Sequence, residues 1–297
     1  MKLFNILFTL FGVVTVIFFL FQILPGDPAR MMMDQNEDVE QLEIIKKKYG
    51  FDEPILKQYL YYLNDLSIIS IHSKNPEKIN FIIENKYSYT KIFDFDNSTL
   101  VLKFPYLRES YQRRGVKVST IIMDTFPNTV VLAISSILFA TVFGLLLGIL
   151  SALYKETLFD NSIQLFSTFG MSMPSFLSSI IFAWIFGFVL ADITGLNMTG
   201  SLFELDDFGD EYRLELKNLI LPSIVLGIRP IAVISMMMRN SLIETLKKNY
   251  VITAYAKGLS KSKVILNHCL KNSLNPVITA LSGWFASLLA GSVFVEY

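Results

Sequence analysis

Residues 127–153 read PNTVVLAISSILFATVFGLLLGILSAL, a stretch of 27 residues without a charged side chain. An α-helix needs about 20 predominantly apolar residues to cross the hydrocarbon core of a bilayer. Four residues make just over one helical turn, and small residues recur here at every fourth position: Ser136, Ala140, Gly144, Gly148 and Ala152. The stretch therefore predicts a transmembrane helix with one closely packed face. That face meets either another helix of the same chain or a second membrane subunit.

Four further stretches are long and apolar enough to predict membrane spans; they are Leu3–Leu24, Ile163–Leu190, Leu219–Met238 and Pro276–Val295. Lys2 precedes the first stretch, as a basic residue precedes a signal peptide. Its apolar run is too long for a signal peptide, and no small-residue cleavage site follows it, so we expect an uncleaved span. The last stretch contains two series of small residues at the same spacing: Ser282, Ala286 and Ala290, and Gly283, Ser287 and Gly291.

The composition supports a membrane protein. Of the 297 residues 52% are hydrophobic and 18% are charged, against about 25% charged in an ordinary soluble domain, and the mean hydropathy is +0.47. A single cysteine, Cys269, excludes an intramolecular disulfide, and two histidines leave little for a zinc site. The formal net charge is zero, so no global field would recruit nucleic acid. We predict an all-α polytopic membrane protein with five transmembrane helices and no cofactor of its own.

The distribution of charge predicts the orientation, because lysine and arginine collect in cytoplasmic loops. Residues 239–275 hold seven lysines and arginines and one acid, whereas residues 192–218 hold seven acids and two bases. The first segment is therefore predicted to be cytoplasmic and the second to lie outside. Counting the spans backwards places the N-terminus in the cytoplasm and residues 25–126 outside.

Three parts of the chain follow from this topology. Residues 1–24 form the first transmembrane helix, residues 25–126 an extracytoplasmic subdomain, and residues 127–297 the membrane core. Within the subdomain, the pattern of Val39–Gly50 predicts an amphipathic helix, and the alternation in Ile79–Phe104, which includes Tyr87, predicts short strands. We therefore expect a small mixed α/β subdomain.

Two residues within the spans point to a transport pathway. Pro174 interrupts the third span and is predicted to kink its helix. Arg229 lies ten residues into the fourth span, about 15 Å along it at 1.5 Å per residue. A charged side chain at this depth of the membrane costs free energy, so we take Arg229 as a candidate functional residue. It either attracts the carboxylate of a passing substrate, or bonds to carbonyls freed near Pro230 and Gly227, or faces a wet cavity in a structural role.

The cytoplasmic segment 239–275 contains the most specific pattern. Residues Glu244–Lys257 predict a helix, and Gly258 predicts its end, with basic residues in the last turn. Ser260 is then placed to cap a second helix that runs toward Pro276. Two short helices meeting at a glycine form a compact protrusion, and the small Ala254 and Ala256 would let a partner come close. The alternative is an ordinary solvated helical loop.

This segment resembles the EAA loop of ABC-importer permeases, in particular the dipeptide/oligopeptide (and nickel) branch. The branch's pattern is close to Tyr-Val-x-x-Ala-x-Ala-Lys-Gly-Leu-Ser, followed by His-x-Leu-(Arg/Lys)-Asn-x-Leu-x-Pro. The sequence matches it at fourteen positions, which are Tyr250, Val251, Ala254, Ala256, Lys257, Gly258, Leu259, Ser260, His268, Leu270, Lys271, Asn272, Leu274 and Pro276. Ile252 and Thr253 replace the glutamate and first alanine of the general motif, as is usual in this branch.

The resemblance extends over nearly the whole chain. It includes Leu24–Pro28, Tyr49–Pro54, Ser172–Phe176 and Arg239–Ser241 with Glu244. Residues 67–103 are an insertion in the outer segment, which either contacts a solute-binding protein or decorates the surface. The sequence ends at Tyr297, where the family continues into a sixth span, so we expect a fragment or a truncated product.

The resemblance implies a permease subunit of an ABC importer for di- or oligopeptides in the bacterial inner membrane, surrounded by lipid. Residues 239–275, which we call the coupling loop, would then seat in a groove of a separate ATPase. The implied partners are that ATPase, which binds ATP and magnesium, a second and paralogous permease, and an extracytoplasmic solute-binding protein. The chain itself would be non-catalytic, and it has no Gly-x-x-x-x-Gly-Lys-Ser/Thr loop for ATP phosphates.

Other functions make different demands on the sequence. Similar permeases serve nickel chelates and glutathione-like compounds, and these substrates stay open. An ion-coupled secondary transporter would show acids within the membrane or broken helices in repeated halves. A membrane enzyme would need a catalytic or metal-binding cluster within the spans, but both histidines lie outside them. The ABC importer is the interpretation that these patterns favour.

Overall fold

The structure is a computed structural model of the chain, and it describes residues 2–23, 26–33, 39–76, 78–81, 88–113, 115–205 and 212–291. The chain divides into two units, Met1–Asp124 and Thr125–Tyr297, and the border falls within one long helix. Each unit has its own helices and a small sheet.

The first unit contains four helices in the described part of the chain: α1 (Lys2–Ile23), α2 (Pro28–Met31), α3 (Val39–Tyr49) and α4 (Ile55–Leu66). Helix α1 is long and apolar enough to cross a membrane. Its apolar side chains are mostly exposed, with Phe18 as the buried one, which is what a lipid-facing helix requires. Tyr59 of α4 packs on it, because its hydroxyl lies 2.6 Å from the hydroxyl of Thr15 and its ring contacts that of Phe18.

Three antiparallel strands form the sheet of this unit in the order β1-β3-β2; they are β1 (Ile69–Ser73), β2 (Tyr89–Asp94) and β3 (Ser98–Lys103). Ile69 pairs with Leu102, and the register of β2 shifts between Lys91 and Phe93. Strands β2 and β3 fall in the stretch whose alternation predicted strands, although Tyr87 lies outside the described residues.

A partly buried ionic contact joins α4 to the segment after the sheet. The Arg108 Nε donates to the Asp65 carboxylate at 2.9 Å, and the side chains are 17% and 11% exposed. The ammonium group of Lys103 donates to the backbone carbonyl of Asp65. Nearby, the Tyr49 hydroxyl donates to the Glu109 carboxylate. Polar side chains thus link the helices of this unit to the segment that follows its sheet.

The second unit is built from long helices. In chain order these elements are α5 (Val118–Leu153), α6 (Leu158–Ser172), α7 (Ser175–Trp184), a π-helical turn (Ile185–Val189), α8 (Ala191–Thr194), β4 (Phe203–Leu205), β5 (Tyr212–Leu214), a 3₁₀ turn (Leu216–Leu219), α9 (Ile220–Leu246), α10 (Asn249–Ala256), α11 (Lys261–Val264), a second π-helical turn (Ile265–Cys269) and α12 (Leu270–Gly291). Strands β4 and β5 pair in antiparallel fashion.

The small-residue face of α5 packs against α9 within this unit. All five of its residues are buried. A Cβ added to Gly148 would lie 2.6 Å from the backbone oxygen of Ser235, and one added to Gly144 would lie 2.8 Å from the Ile234 side chain. The two helices therefore approach more closely than a side chain at Gly144 or Gly148 would allow. Of the two alternatives for this face, the structure shows packing against another helix of the same chain.

The third predicted span is broken at Pro174. Helix α6 ends at Ser172, α7 begins at Ser175, and the two axes differ by 108°. Pro174 lacks the amide hydrogen that would continue the helix. The predicted kink is confirmed and is large enough to separate two half-helices.

Within the described ranges, four helices are long and apolar enough to span a membrane, and a fifth span forms if the bent pair counts as one. Several span boundaries differ from those predicted. Helix α6 begins at Leu158 rather than at Ile163, and α9 continues to Leu246 rather than ending at Met238. Helix α5 begins at Val118, nine residues before Pro127, and helical structure from Lys261 continues through Pro276. Pro127 and Pro276 thus each lie inside a helix and do not mark its start. Residues 292–297, including the end of the last predicted span, lie outside the described part.

Candidate functional site

The coupling loop connects α9 to α12 and contains α10. The predicted continuous helix from Glu244 to Lys257 is wrong: α9 ends at Leu246, and α10 begins at Asn249. Lys248 between them is extended, with φ −74° and ψ 145°. Glu244 therefore belongs to the last turn of α9, where its exposed carboxylate lies 3.8 Å from the Lys248 ammonium group. The bend lets α10 turn one face inward against the core.

Gly258 ends α10 as its sequence position predicted. Its φ of +79° lies in the left-handed region that glycine enters without strain. The Gly258 amide donates to the Tyr255 carbonyl at 2.9 Å, and the Leu259 amide donates to the Ala254 carbonyl at 3.3 Å. These two bonds make a Schellman motif, which satisfies the last carbonyls of the helix. Ser260 then precedes α11, although its side chain makes no capping bond.

The inner face of α10 belongs to the core of the second unit. Val251 is fully buried, and Ala254 is 6% exposed. Both lie in one apolar cluster with Leu242 of α9, Val264 of α11 and Val277 of α12. The prediction that Ala254 faces a partner is therefore wrong. Its small side chain instead lets α10 pack closely against the apolar core of the second unit. Ala256 is exposed as predicted.

Polar contacts fix α10 to the start of α12. The Asn272 side-chain amide donates to the Tyr250 hydroxyl at 2.8 Å. Ser273, fully buried, donates to the carbonyl of Cys269 at 2.9 Å and lies 3.5 Å from that of Ser241. The loop is thus held by hydrogen bonds to the two long helices that flank it.

The outer face of α10 and its turn is exposed and mixed in chemistry. Its exposed residues are Tyr250, Ile252, Thr253, Tyr255, Ala256, Lys257, Gly258 and Ser260, while Leu259 is half-buried. Ile252 is 57% exposed. An exposed surface with apolar, aromatic and basic side chains can bind another protein. The described residues contain no group of three or more histidines, cysteines and acids that could hold a metal ion.

The structure brings the two predicted pathway residues into one region. Arg229 of α9 is exposed, and its Nη2 donates to the Met171 carbonyl at 3.4 Å. That carbonyl lies in the last turn of α6, three residues before Pro174. The guanidinium therefore reaches the end of the half-helix that Pro174 terminates, and the rest of it stays available to a ligand.

Sequence reasoning missed Asp160, at the start of α6. It is fully buried and pairs with Arg239 of α9 at 2.6 Å. The signal was present, because Asp160 is the acid nearest the N-terminal end of a predicted span without charged residues. Its partner, 79 residues later, has no local signature.

Comparisons with known proteins agree with this architecture. Residues 144–297 match the family described as binding-protein-dependent transport system inner membrane component, and residues 1–77 match the N-terminal part of such membrane components. A di/tripeptide transport system permease protein of Pseudomonas aeruginosa is 32% identical over 97% of this chain and 79% of its own length.

Two more relatives cover similar shares. A dipeptide transport system permease protein of Lactococcus lactis is 30% identical over 98% of this chain and 78% of its own length. A glutathione transport system permease protein of Escherichia coli is 26% identical over 99% of this chain and 79% of its own length. The family match includes the coupling loop, α9 and the broken helix, which are the features of the site. The chain therefore belongs to the family of binding-protein-dependent transport system inner membrane components.

Proposed function

We propose that this chain is a permease subunit of an ABC importer that carries di- or oligopeptides across the bacterial inner membrane. The observation that carries this proposal is the exposed outer face of α10 and Gly258, mounted on a buried frame of α9 and α12. A groove on a separate ATPase would receive this face. ATP and magnesium would bind that partner, and the chain itself would remain non-catalytic.

The distribution of lysine, arginine and acidic residues supports the same assignment. The basic coupling loop would face the cytoplasm together with the N-terminus, and residues 25–126 would lie outside as a distinct domain between the first helix, residues 1–24, and the membrane core, residues 127–297. A solute-binding protein would deliver substrate to the outer side, where the insertion of residues 67–103 is a candidate contact.

A second permease has a suitable surface on α12. Ser282, Gly283, Ala286 and Ser287 are all exposed, unlike the buried small residues of α5. No heavy atom of the described residues, apart from the helix itself, lies within 4 Å of a Cβ built on Gly283. Small exposed residues let two transmembrane helices approach closely, so this face would pack against the paralogous subunit and complete the pathway.

The substrate class follows from the relatives and from Arg229. Two of the relatives are named for di- or tripeptide transport and one for glutathione. All of these compounds carry carboxylates, and an arginine binds a carboxylate through two parallel hydrogen bonds. We therefore assign Arg229 as a carboxylate contact beside the break at Pro174. Nickel chelates remain the alternative among cargoes, and an ion-coupled carrier the alternative mechanism.

A pull-down from solubilised host membranes tests the assignment. We expect the wild-type chain to recover an ATPase and a second permease. Gly258→Asp should lose the ATPase and keep the second permease, because the new side chain projects from the docking face into space that the chain's described residues leave open. The matched control is Gly115→Asp, since Gly115 has φ +68° and similarly open surroundings in the first unit.

Three outcomes would reject the assignment. The wild-type chain, correctly inserted, recovers no ATPase; or Gly258→Asp recovers as much ATPase as wild type; or Gly115→Asp loses it equally. Recovery of the chain alone, with transport driven by an ion gradient in vesicles, would favour the secondary transporter.

A further inference from the structure

Asp160 has five hydrogen-bond donors around one buried carboxylate. Arg239 donates twice, from Nε at 2.7 Å and from Nη2 at 2.6 Å. The Glu156 amide donates at 2.9 Å, the Gln164 side chain at 3.2 Å, and the Ser151 hydroxyl completes the set. A buried charge is stable only with such partners, and the planar fork of arginine fixes orientation as well as distance.

These donors belong to separate elements. Ser151 lies at the end of α5, Glu156 in the turn that follows, and Arg239 on α9. Glu156 has a φ of +65°, which is uncommon for a residue with a side chain, and Asp160 holds its amide. The carboxylate therefore ties the turn between α5 and α6 to α9 at one point.

Arg239 stands where α9 enters the coupling loop. It lies seven residues before Leu246, the last residue of α9, or about 10 Å along the helix. If α9 rotates or tilts together with the coupling loop, Arg239 moves with it and pulls on the Asp160 carboxylate.

The other end of α6 is also tied to α9. Arg229, ten residues before Arg239, donates to the Met171 carbonyl. Gly170 lets the Ile228 side chain approach, because a Cβ on this glycine would lie 3.0 Å from it. Contacts at both ends therefore join α6 to α9, and the second of them lies beside the break at Pro174.

We infer that Asp160 and Arg239 are positioning residues that pass the movement of the coupling loop to α6 and to the broken helix. This inference rests on the proposed function, since the movement comes from the ATPase. A merely structural pair would serve only folding. A transmitting pair is needed for transport even when the fold is intact.

The decisive variant is D160N/R239M, which removes both charges together. Replacing one residue of the pair leaves the charge of the other buried without a counter-charge, whereas replacing both residues is often tolerated. The complete importer, reconstituted in vesicles with a peptide substrate, should assemble with this variant but take up about tenfold less peptide per ATP hydrolysed, a typical coupling factor. R239K, which keeps the charge without the fork, should lie between D160N/R239M and wild type.

The control is K155Q, which removes a neighbouring surface pair. Lys155 and Glu156 lie 2.6 Å apart, but their side chains are 44% and 78% exposed, and such pairs contribute little. We expect wild-type uptake per ATP from K155Q. Wild-type uptake from D160N/R239M would overturn the inference, as would a loss of uptake that only follows a loss of assembly.

Hydrogen exchange of the chain alone in nanodiscs separates this inference from the proposed function. D160N/R239M should speed exchange of the amides in residues 154–160 and leave those of α10 unchanged. Unchanged exchange in residues 154–160 would show that the pair does not hold the turn, and would overturn the inference even in a working importer. Absence of ATP-driven uptake by the wild-type importer would reject the proposed function, and the transmitting role with it.

Discussion

Asn272 and Tyr250 are joined by a 2.8 Å hydrogen bond that spans from α12 to α10. Both residues are part of the pattern by which the coupling loop resembles the permease family. The bond gives that pairing a physical reason, because it ties the first turn of α10 to the start of α12. Tyr250 is 40% exposed, so its hydroxyl supports the loop while its ring remains available to a partner.

We predict that Tyr250→Phe weakens recovery of the ATPase about fivefold in the pull-down, the factor expected for one hydrogen bond of about 1 kcal/mol. Tyr255→Phe is the matched control, since Tyr255 is also 40% exposed on α10. Its recovery should equal that of wild type. Equal losses from both variants would mean that the hydroxyls contact the partner rather than the loop's own frame.

The effect of a substitution at Gly258 should depend on the backbone conformation there rather than on the space available for a side chain. The described residues leave room for a Cβ there, but φ is +79°. Alanine at a left-handed position costs about 1 kcal/mol, and asparagine is tolerated better. We expect Gly258→Ala to speed hydrogen exchange at the end of α10 in the isolated chain and Gly258→Asn to leave it close to wild type. The reverse order would contradict the Schellman motif.

The coupling loop shows which features a sequence can predict. The end of α10 was predicted because glycine at a helix C-terminus is a local signal. The break at Lys247 and Lys248 was not, because nothing in two lysines forbids a helix. It arises because Val251 and Ala254 must reach the core beside Leu242. That requirement is tertiary and is absent from any short window of sequence.

Glycine packing between α5 and α9 gives a stability prediction. Gly148→Ala places a methyl group 2.6 Å from the Ser235 backbone oxygen, which cannot rotate away. Overpacking of this kind costs about 2 kcal/mol, so the thermal unfolding midpoint in detergent should fall. Gly283→Ala on α12 is the control, because the described residues leave its Cβ position open. An equal fall in both variants would show that helical glycine itself, and not the close approach, decides stability.

Two other features escaped prediction for a related reason. Strand β1 has an inverted pattern, with Ile69 and Ile71 exposed and Ser70 and His72 buried. The side chains of Ser70 and His72 can be buried because they make polar contacts; the Ser70 hydroxyl, for example, lies 3.0 Å from His72 Nε2. A hydropathy pattern cannot anticipate such a sheet. The pairing of Asp160 was hidden likewise, because it depends on how α6 and α9 meet.

Arg229 gives a prediction about substrate chemistry. In reconstituted importer, Arg229→Gln should reduce uptake of a peptide with a free C-terminal carboxylate by about tenfold, which corresponds to about 1.4 kcal/mol of lost pairing. Uptake of the same peptide with an amidated C-terminus should change little. Arg229→Lys should retain an intermediate preference, since it keeps the charge without the fork. A uniform loss for both peptides would assign Arg229 to holding the end of α6 instead.

Alkaline pH should destabilise the first unit through Tyr106. Burial, followed by the negative charges of Glu109 and Asp65 and partly offset by Arg108, raises the pKa of Tyr106 from 10.0 to about 12. Burial and the bond to Glu109 also raise the pKa of Tyr49. Between pH 10.0 and about 12 the folded state therefore keeps the hydroxyl proton of Tyr106, whereas the unfolded chain has lost it. The stabilisation is complete below pH 10.0 and disappears as the pH rises through about 12.

Tyrosinate absorbance, followed together with unfolding of the first unit during alkaline titration, tests this linkage. Tyr106→Phe removes one late-ionising group, so the alkaline unfolding transition should move to higher pH and one tyrosine should vanish from the late phase. Tyr154→Phe, an exposed site in the second unit, should leave that transition where it is. A transition unmoved by Tyr106→Phe would mean that Tyr106 ionises without opposing the fold. The remaining alkaline sensitivity would then rest on Tyr62, whose pKa burial also raises, and on Tyr49, whose ionisation removes the hydroxyl proton that it donates to Glu109.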